Sequence, residues 1–285
     1  MRGEQKACAK INLTLDITGE LPDRYHSIFT VMQTVGLWDD VVVETTEAEG
    51  ISLTCSDNTL PCDGRNTAYR AAELFLRAAG VESGVAVTVQ KRIPAQAGLA
   101  GGSADAAAVL RALDCLFPGR LSRRQLLDIA FCIGADVPFC LAGGARLCQN
   151  KGEVMAELPG LDAWVVLVKP EENVSTKAAY DRFAQAKDLF HPDNGRFLFY
   201  AAAGEYRKAL AYACNTFEAL CEVPSGEAIK AALYAGGAYY AAMSGSGSAF
   251  FGLFEEGSRA AAAAEALKAS FSQTFLCHTV DGTGE

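Results

Sequence analysis

Pro94-Ala95-Gln96-Ala97-Gly98-Leu99-Ala100-Gly101-Gly102-Ser103-Ala104-Asp105-Ala106-Ala107-Ala108 puts three glycines and seven alanines into fifteen residues. Glycine lacks a Cβ, so the backbone here can turn sharply and approach a ligand closely. Successive N–H groups in such a loop converge on an anion. Ser103 opens a predicted helix, whose N-terminus carries a partial positive charge. Ala106, Ala107 and Ala108 let that helix pack tightly, with Val109, Leu110, Leu113 and Leu116 as its core stripe. These features fit a phosphate cradle. They fit a flexible strand-to-helix loop as well, and residue chemistry alone leaves both open. No Gly-Lys-Ser/Thr follows, so this is not a Walker A loop, and it does not match GxGxxG.

Upstream, residues 9–18 alternate. Ile11, Leu13, Leu15 and Ile17 share one face, and Lys10, Asn12, Thr14, Asp16 and Thr18 the other. A period of two predicts a half-buried strand. On such a strand Lys10 is either a solvated lysine or a group aimed into a site. A turn-rich connection over 19–25 contains Pro22, Asp23 and Arg24 and leads to Tyr25-His26, a pair able to stack on and hydrogen-bond a base, or simply to pack. Further β-rich runs are expected at 26–37, 40–46 and 50–55, and Val85, Val87 and Val89 mark another strand. Asn66 caps a predicted helix ending near Gly80, and Ser122 with Gln125 forms a capping box for one ending at Gly134.

Downstream, Asp136 lies in Gly134-Ala135-Asp136-Val137-Pro138. Its carboxylate suits a general base among apolar neighbours, or an Asx-type turn. Pro138 biases Val137 towards extended backbone. Gly143, Gly144 and Gly152 punctuate a short β region at 145–157. Beyond Pro159-Gly160, the candidate boundary, come a strand at 163–168 and helices near 176–185, 195–213 and 225–235. A strand–loop–strand at 239–254, a helix at 256–270 and a last strand at 273–279 follow. Met243-Ser244-Gly245-Ser246-Gly247-Ser248 is either a tight hairpin turn or a second glycine loop with a ligand role. Strands and helices mix without a steady βαβ rhythm, which predicts an α+β fold in two parts.

The 285 residues carry Lys+Arg 25 against Asp+Glu 34, a formal net charge of −9. That excess of acid disfavours nucleic acid or an anionic membrane as partner. No apolar run approaches a membrane span, and no signal peptide is expected. Ten cysteines and three histidines show no CxxC, so neither a zinc site nor a disulfide scaffold is expected. Most cysteines, Cys132 among them, read as small core hydrophobes, and His191 and His278 as surface residues. A reducing cytoplasm is the expected location.

Five stretches in order resemble the GHMP kinase superfamily: ACAKINLTLDITG, DRYHSIFTVMQTVGLWD, RIPAQAGLAGGSADAAA, IGADVPFCLAGG and MSGSGSAFFGLF. The opening A-K-x-N-L with D-x-Y-H is most similar to its branch acting on a cytidine-diphosphate methylerythritol. The resemblance implies an N-terminal half of ribosomal S5 domain 2-like fold over 1–159 and a C-terminal α/β-plait half over 160–285. It implies ATP as co-substrate with Mg2+ carried on it, and no metal-ligating residues of the protein's own. Lys10 and Asp136 become the catalytic pair, and Pro94–Ala104 the ATP loop. Asn12 stands beside the substrate hydroxyl, with Tyr25, His26 and Tyr180 around the cytosine. The partner is then a small molecule, and the chain a monomer or homodimer. Three positions depart from the family pattern. Ala104 replaces a serine, Asn150-Lys151-Gly152-Glu153 stands for G-x-G-E, and Thr216 follows Asn215 where an aspartate is usual. Rival readings are a homoserine, mevalonate or sugar kinase of the superfamily, a nucleotide-binding protein without turnover, and an RNA-binding module.

Overall fold

The structure, a computed structural model, describes residues 1–22, 25–186 and 189–283. Asp23 and Arg24 of the expected turn lie outside the described residues. The first half of the chain forms β1 (Arg2–Glu20), β2 (His26–Thr46), β3 (Ile51–Cys55), β4 (Gly84–Gln90), β5 (Ala145–Asn150) and β6 (Val154–Leu158). These make one sheet in the order β3-β4-β2-β5-β6, with β1 paired along β2. The helices α1 (Thr67–Ala79), α2 (Gly101–Leu116), α3 (Arg123–Ile133) and α4 (Val137–Ala142) pack with it. β3 and β4 are parallel, and α1 provides the crossover that parallel strands require.

The second half holds a four-stranded sheet of order β10-β7-β9-β8. Its strands are β7 (Trp164–Lys169), β8 (Tyr240–Met243), β9 (Phe250–Phe254) and β10 (Gln273–His278). Around it lie α5 (Thr176–Phe183), α6 (Asn194–Ala202), α7 (Tyr206–Ala209), α8 (Gly226–Ala235) and α9 (Gly257–Lys268). Alternation along these strands sorts the core. Val165, Leu167, Phe251 and Leu253 join the cluster that includes α2 and β1. Val166, Val168, Phe250 and Phe254 instead pack with Ile229, Leu233, Ala260 and Leu267 of α8 and α9. Among the described residues no helix is long and apolar enough to cross a membrane.

The local signals act as their chemistry dictates. Asn66 accepts the N–H of Ala68 at 2.9 Å, and Gly80 ends α1 at φ +61°. The Ser122–Gln125 capping box is closed in both directions at the start of α3. Each such cap is worth about 1 kcal/mol. α2 is the central helix. Its Ala106, Ala107, Ala108, Val109, Leu110, Ala112 and Leu113 are fully buried.

Several expectations are corrected. β1 is covered on both faces from Ala7 to Ile17, not half-buried. Segments from the other half lie over its polar side: Leu15 N–H and Thr14 Oγ1 both donate to Cys214 O, and Tyr240 Oη donates to Leu13 O. β2 runs unbroken through Gly36, because β1 pairs with it on both sides of that residue. The helix expected at 195–213 breaks at Gly204, φ +75°, into α6, α7 and a 3₁₀ turn. Val137 is helical, since Pro138 sits in the first turn of α4 where its missing N–H costs nothing. α2 starts at Gly101, two residues before Ser103. Cys132 is exposed, off the Leu126–Ala130–Ile133 stripe of α3, and Cys62 and Cys115 are exposed too. His191 is exposed and His278 half-buried, in keeping with the surface reading, yet both have partners: His191 Nδ1 lies 2.6 Å from the buried Asp16, and His278 meets Trp164 edge-on.

Candidate active site

A cleft of about 1730 Å³ opens where the glycine loop, the N-terminus of α2, β1 and the β8–β9 connection meet. The loop is pinned on both sides. Lys10 N–H donates to Leu99 O at 3.1 Å, and Ala249 N–H donates to Ala97 O at 3.1 Å. Gly98 sits at φ +73°, where a Cβ would lie 2.0 Å from Ser244 O, so only glycine fits. Gln96 and Ala100 are also left-handed, at φ +52° and +59°, a backbone state that costs a non-glycine residue energy and tends to gather at functional sites. Ala100 turns the chain directly into α2. The N–H groups of Gly101, Gly102 and Ser103 have no intrahelical acceptor and stand at the positive end of a 16-residue helix. Thr67 Oγ1 holds Gly102 O at 2.6 Å. Pro94, Ala95, Gln96, Ala97, Gly98, Ala100, Gly101, Gly102 and Ser103 all line the cleft. Leu99 and Ala104 turn into the core, and the Ala104 N–H is spent on Ala100 O.

Lys10 is 3% exposed on β1. Its ammonium donates to Asn12 Oδ1 at 2.7 Å and Gly98 O at 2.9 Å, and lies 3.6 Å from Asp136 Oδ2. Two donors therefore fix the lysine, and the third is left for Asp136 and whatever enters beside it. Asn12 is oriented in turn, donating from Nδ2 to Thr30 Oγ1 at 2.8 Å. Asp136 precedes α4 but makes no side-chain cap bond, so its carboxylate, about a third exposed, faces the cleft. One buried cation and one accessible carboxylate thus meet beside the free N–H groups of α2.

Tyr25, His26 and Tyr180 line the same cleft. The His26 ring stacks on Tyr180 at 4.8 Å between centroids, and Phe183 and Phe217 close on that pair edge-on. Burial pushes the Tyr180 hydroxyl up to about 12, with the Asp136 carboxylate adding to it. Tyr25 is exposed, and Lys151 Nζ sits 4.2 Å from its ring centre. Asn150, at φ +59°, takes the left-handed backbone that asparagine tolerates, at the end of β5 ahead of β6.

The chain matches the GHMP kinases N terminal domain over residues 66–144 and the GHMP kinases C terminal domain over 201–273. It is 40% identical over 282 residues to the 4-diphosphocytidyl-2-C-methyl-D-erythritol kinase of Caldicellulosiruptor bescii, covering 98% of this chain and 99% of that one. The chain belongs to the GHMP kinase family. A relative of the same description in Clostridium botulinum is 37% identical over 282 residues, covering 96% of this chain and 99% of that one. A crystal structure of 4-(cytidine 5'-diphospho)-2C-methyl-D-erythritol kinase superposes with a TM-score of 0.81 at 34% identity, covering 98% of this chain and all of that one. The homoserine kinase of Cytophaga hutchinsonii, at 19% identity and a TM-score of 0.77 over 99% of this chain and 96% of that one, shares the fold.

In this GHMP kinase several residues outside the expected catalytic and binding set shape the site. The β8–β9 loop is more than a hairpin turn, because its three hydroxyls tie it to the glycine loop and to the segment that runs from β7 into α5. Ser244 donates to Gly98 O at 3.0 Å, Ser246 meets Thr176 Oγ1 at 2.7 Å, and Ser248 donates to Glu172 O. The hydroxyl-rich MSGSGS composition was the available clue. Asn215 donates to Met243 O and Gly245 O, bracing the same loop from below. Thr216 reaches Asp16 Oδ1 at 3.2 Å, so the carboxylate near this position comes from β1. Lys91, Asp39 and Asp105 form a buried charge cluster behind α2 whose members are too far apart in sequence to be read as a group.

Proposed function

We propose that this protein transfers the γ-phosphate of ATP to the 2-hydroxyl of 4-diphosphocytidyl-2-C-methyl-D-erythritol, giving the 2-phosphate and ADP, in non-mevalonate isoprenoid biosynthesis. The observation that carries the mechanism is the meeting of Lys10 and Asp136, 3.6 Å apart, beside the amide-lined start of α2. Phosphoryl transfer asks a protein for positioning and charge neutralisation more than for covalent chemistry. The N–H groups of Gly101, Gly102 and Ser103 hold the ATP phosphates. Asp136 accepts, or orients, the proton of the attacking hydroxyl. Lys10, already fixed by Asn12 and Gly98, offsets the charge that develops on the transferring group. Tyr25, His26 and Tyr180 hold the cytosine, which sets this substrate apart from homoserine or mevalonate.

Among the described residues no group of three or more His, Cys, Asp or Glu side chains is disposed to hold a metal ion. Mg2+ characteristically binds through substrate phosphates and few protein oxygens, and here the Ser103 hydroxyl and Asp136 are the oxygens on hand. When bound it neutralises phosphate charge. A division at 159/160 is supported by the two separate sheets, and a reducing cytoplasm by ten free cysteines. The test is a substrate panel with ATP and Mg2+, with the product located by phosphorus NMR. The expected result is a phosphomonoester on the methylerythritol 2-oxygen. Phosphorylation of mevalonate or homoserine, with the cytidylyl substrate untouched, would overturn the proposal.

A further inference from the structure

Lys10, Asp136 and the free N–H groups of Gly101, Gly102 and Ser103 come from β1, from the entry to α4 and from α2, so the site exists only while those elements hold fixed places. Lys10 is held directly, by Asn12 and Gly98. Asp136 is not. Among the described residues its carboxylate accepts no hydrogen bond, and Lys10, at 3.6 Å, stands beyond hydrogen-bonding distance. Its place is set by the backbone of α4. That helix has six residues, too few to be stable by itself, so contacts with the rest of the molecule must fix it. Val137, Pro138, Phe139 and Cys140 are buried and keep α4 against its neighbours, but apolar packing is non-directional.

The directional contact comes from Arg111, past the middle of α2. Its guanidinium donates from Nη1 to Cys140 O at 2.9 Å, from Nη2 to Lys6 O at 2.7 Å and from Nε to Gln5 Oε1 at 3.1 Å. Gln5 and Lys6 lie on β1, on the approach to Lys10. One planar fork therefore ties together the three elements that carry the site. Its grip reaches Asp136 by a short route, because Cys140 N–H donates to Asp136 O at 3.0 Å. Cys140 is thus bonded to α2 through its carbonyl and to Asp136 through its amide. Arg146 and Gly282 hold the chain just beyond α4, at Gly143 O and Gly144 N–H. Among the described residues, Arg111 is the one side chain that hydrogen-bonds the backbone of α4 itself.

We propose that Arg111 is a positioning residue for phosphoryl transfer: its fork fixes α4 against β1 and α2, and so sets the approach of Asp136 to Lys10 and to the bound phosphates. This rests on the reading of Asp136 as the group that meets the substrate hydroxyl. Arg111 does not line the cleft and touches neither nucleotide. The glycine loop and the aromatic cluster are held by other contacts, so loss of the fork leaves binding in place. A misplacement of about 1 Å at a reacting group costs on the order of 10²-fold in rate.

Rapid-quench single turnover of Arg111→Lys, with equilibrium binding of each nucleotide, tests this. The substitution keeps the positive charge and removes the fork. Affinities for ATP and the cytidylyl substrate should stay within about threefold of wild type, while the transfer rate falls by about 10-fold to 10²-fold. In an Asp136→Asn background the same substitution should change the transfer rate by less than about twofold, because the carboxylate it positions is already gone. Transfer by Arg111→Lys at the wild-type rate would overturn the proposal. So would an equal further fall in the Asp136→Asn background, which is what a general loosening of the fold produces. If Arg111→Lys does not fold, Gln5→Ala decides, since it removes only the Nε tether. Its transfer rate should fall by about threefold or more at unchanged affinities, and the wild-type rate would overturn the proposal. Failure of the wild type to phosphorylate the cytidylyl substrate would instead overturn the proposed function, and transfer by Asp136→Asn at the wild-type rate the role of Asp136; either takes this inference with it.

Discussion

Lys10 illustrates how much a single residue reveals before any fold is known. Its alternation with Ile11 and Leu13 gave the strand, yet a strand lysine is as well explained by solvent as by a site. Burial decides between them, and the groups packed against the ammonium come from the glycine loop at Gly98 and the β8–β9 loop at Gly245, both far away in the sequence. Asp136 was readable as a general base or as an Asx-type turn residue, and in the structure its side chain makes no cap bond. Asp105 was illegible as a site residue: on a helix it looks like any surface acid until Lys91 and Asp39 are brought to it. At the base end, Tyr25 carries a prediction. Stacking on an aromatic ring is worth about 1–3 kcal/mol per base. Tyr25→Ala should therefore raise the KM of the cytidylyl substrate roughly tenfold, with the KM for ATP within about twofold. Steady-state kinetics in both substrates checks this, and equal weakening of the two would count against stacking.

The loop between β4 and α2 shows what an element adds. Its small residues were readable as an anion cradle, but the same composition serves a mobile linker. What makes it a cradle is contact with β1 on one side and with the β8–β9 loop on the other. Gly98 and Gly119 separate strain from contact, since both sit at φ +73° but only Gly98 has a neighbour where its Cβ would go. Gly119→Ala should cost about 1–2 kcal/mol of stability and leave ATP binding unchanged. Gly98→Ala should in addition push the loop off Ser244 and raise the KM for ATP by about tenfold or more. Thermal melts and ATP titrations of the two variants make the comparison. Similar KM values would mean that the loop does not depend on that close approach. The helix boundaries were legible from Asn66, Gly80, Ser122 and Gln125 because caps are local chemistry. The extent of β2 was not, because its continuity through Gly36 depends on pairing with β1.

Across the whole molecule, the order of strands and helices pointed to the α+β class, but not to the way the halves share one interior. Val165, Leu167, Phe251 and Leu253 of the second sheet are in the same cluster as Ile11 and Leu13 of β1 and Leu110 of α2. Losing one half therefore exposes the other's core. The ligand-free protein should unfold in a single calorimetric transition, with equal calorimetric and van't Hoff enthalpies, while two resolved transitions would show that the halves are independent. The cleft depends on the same union, since β1 and α2 come from one half and Ser244 to Ser248 from the other. The most direct test of the account is rapid-quench single turnover of Asp136→Asn with ATP, Mg2+ and the cytidylyl substrate. Both nucleotides should bind with affinities within about threefold of wild type, while the rate of phosphoryl transfer falls by on the order of 10²–10⁴-fold. Transfer at the wild-type rate would contradict it.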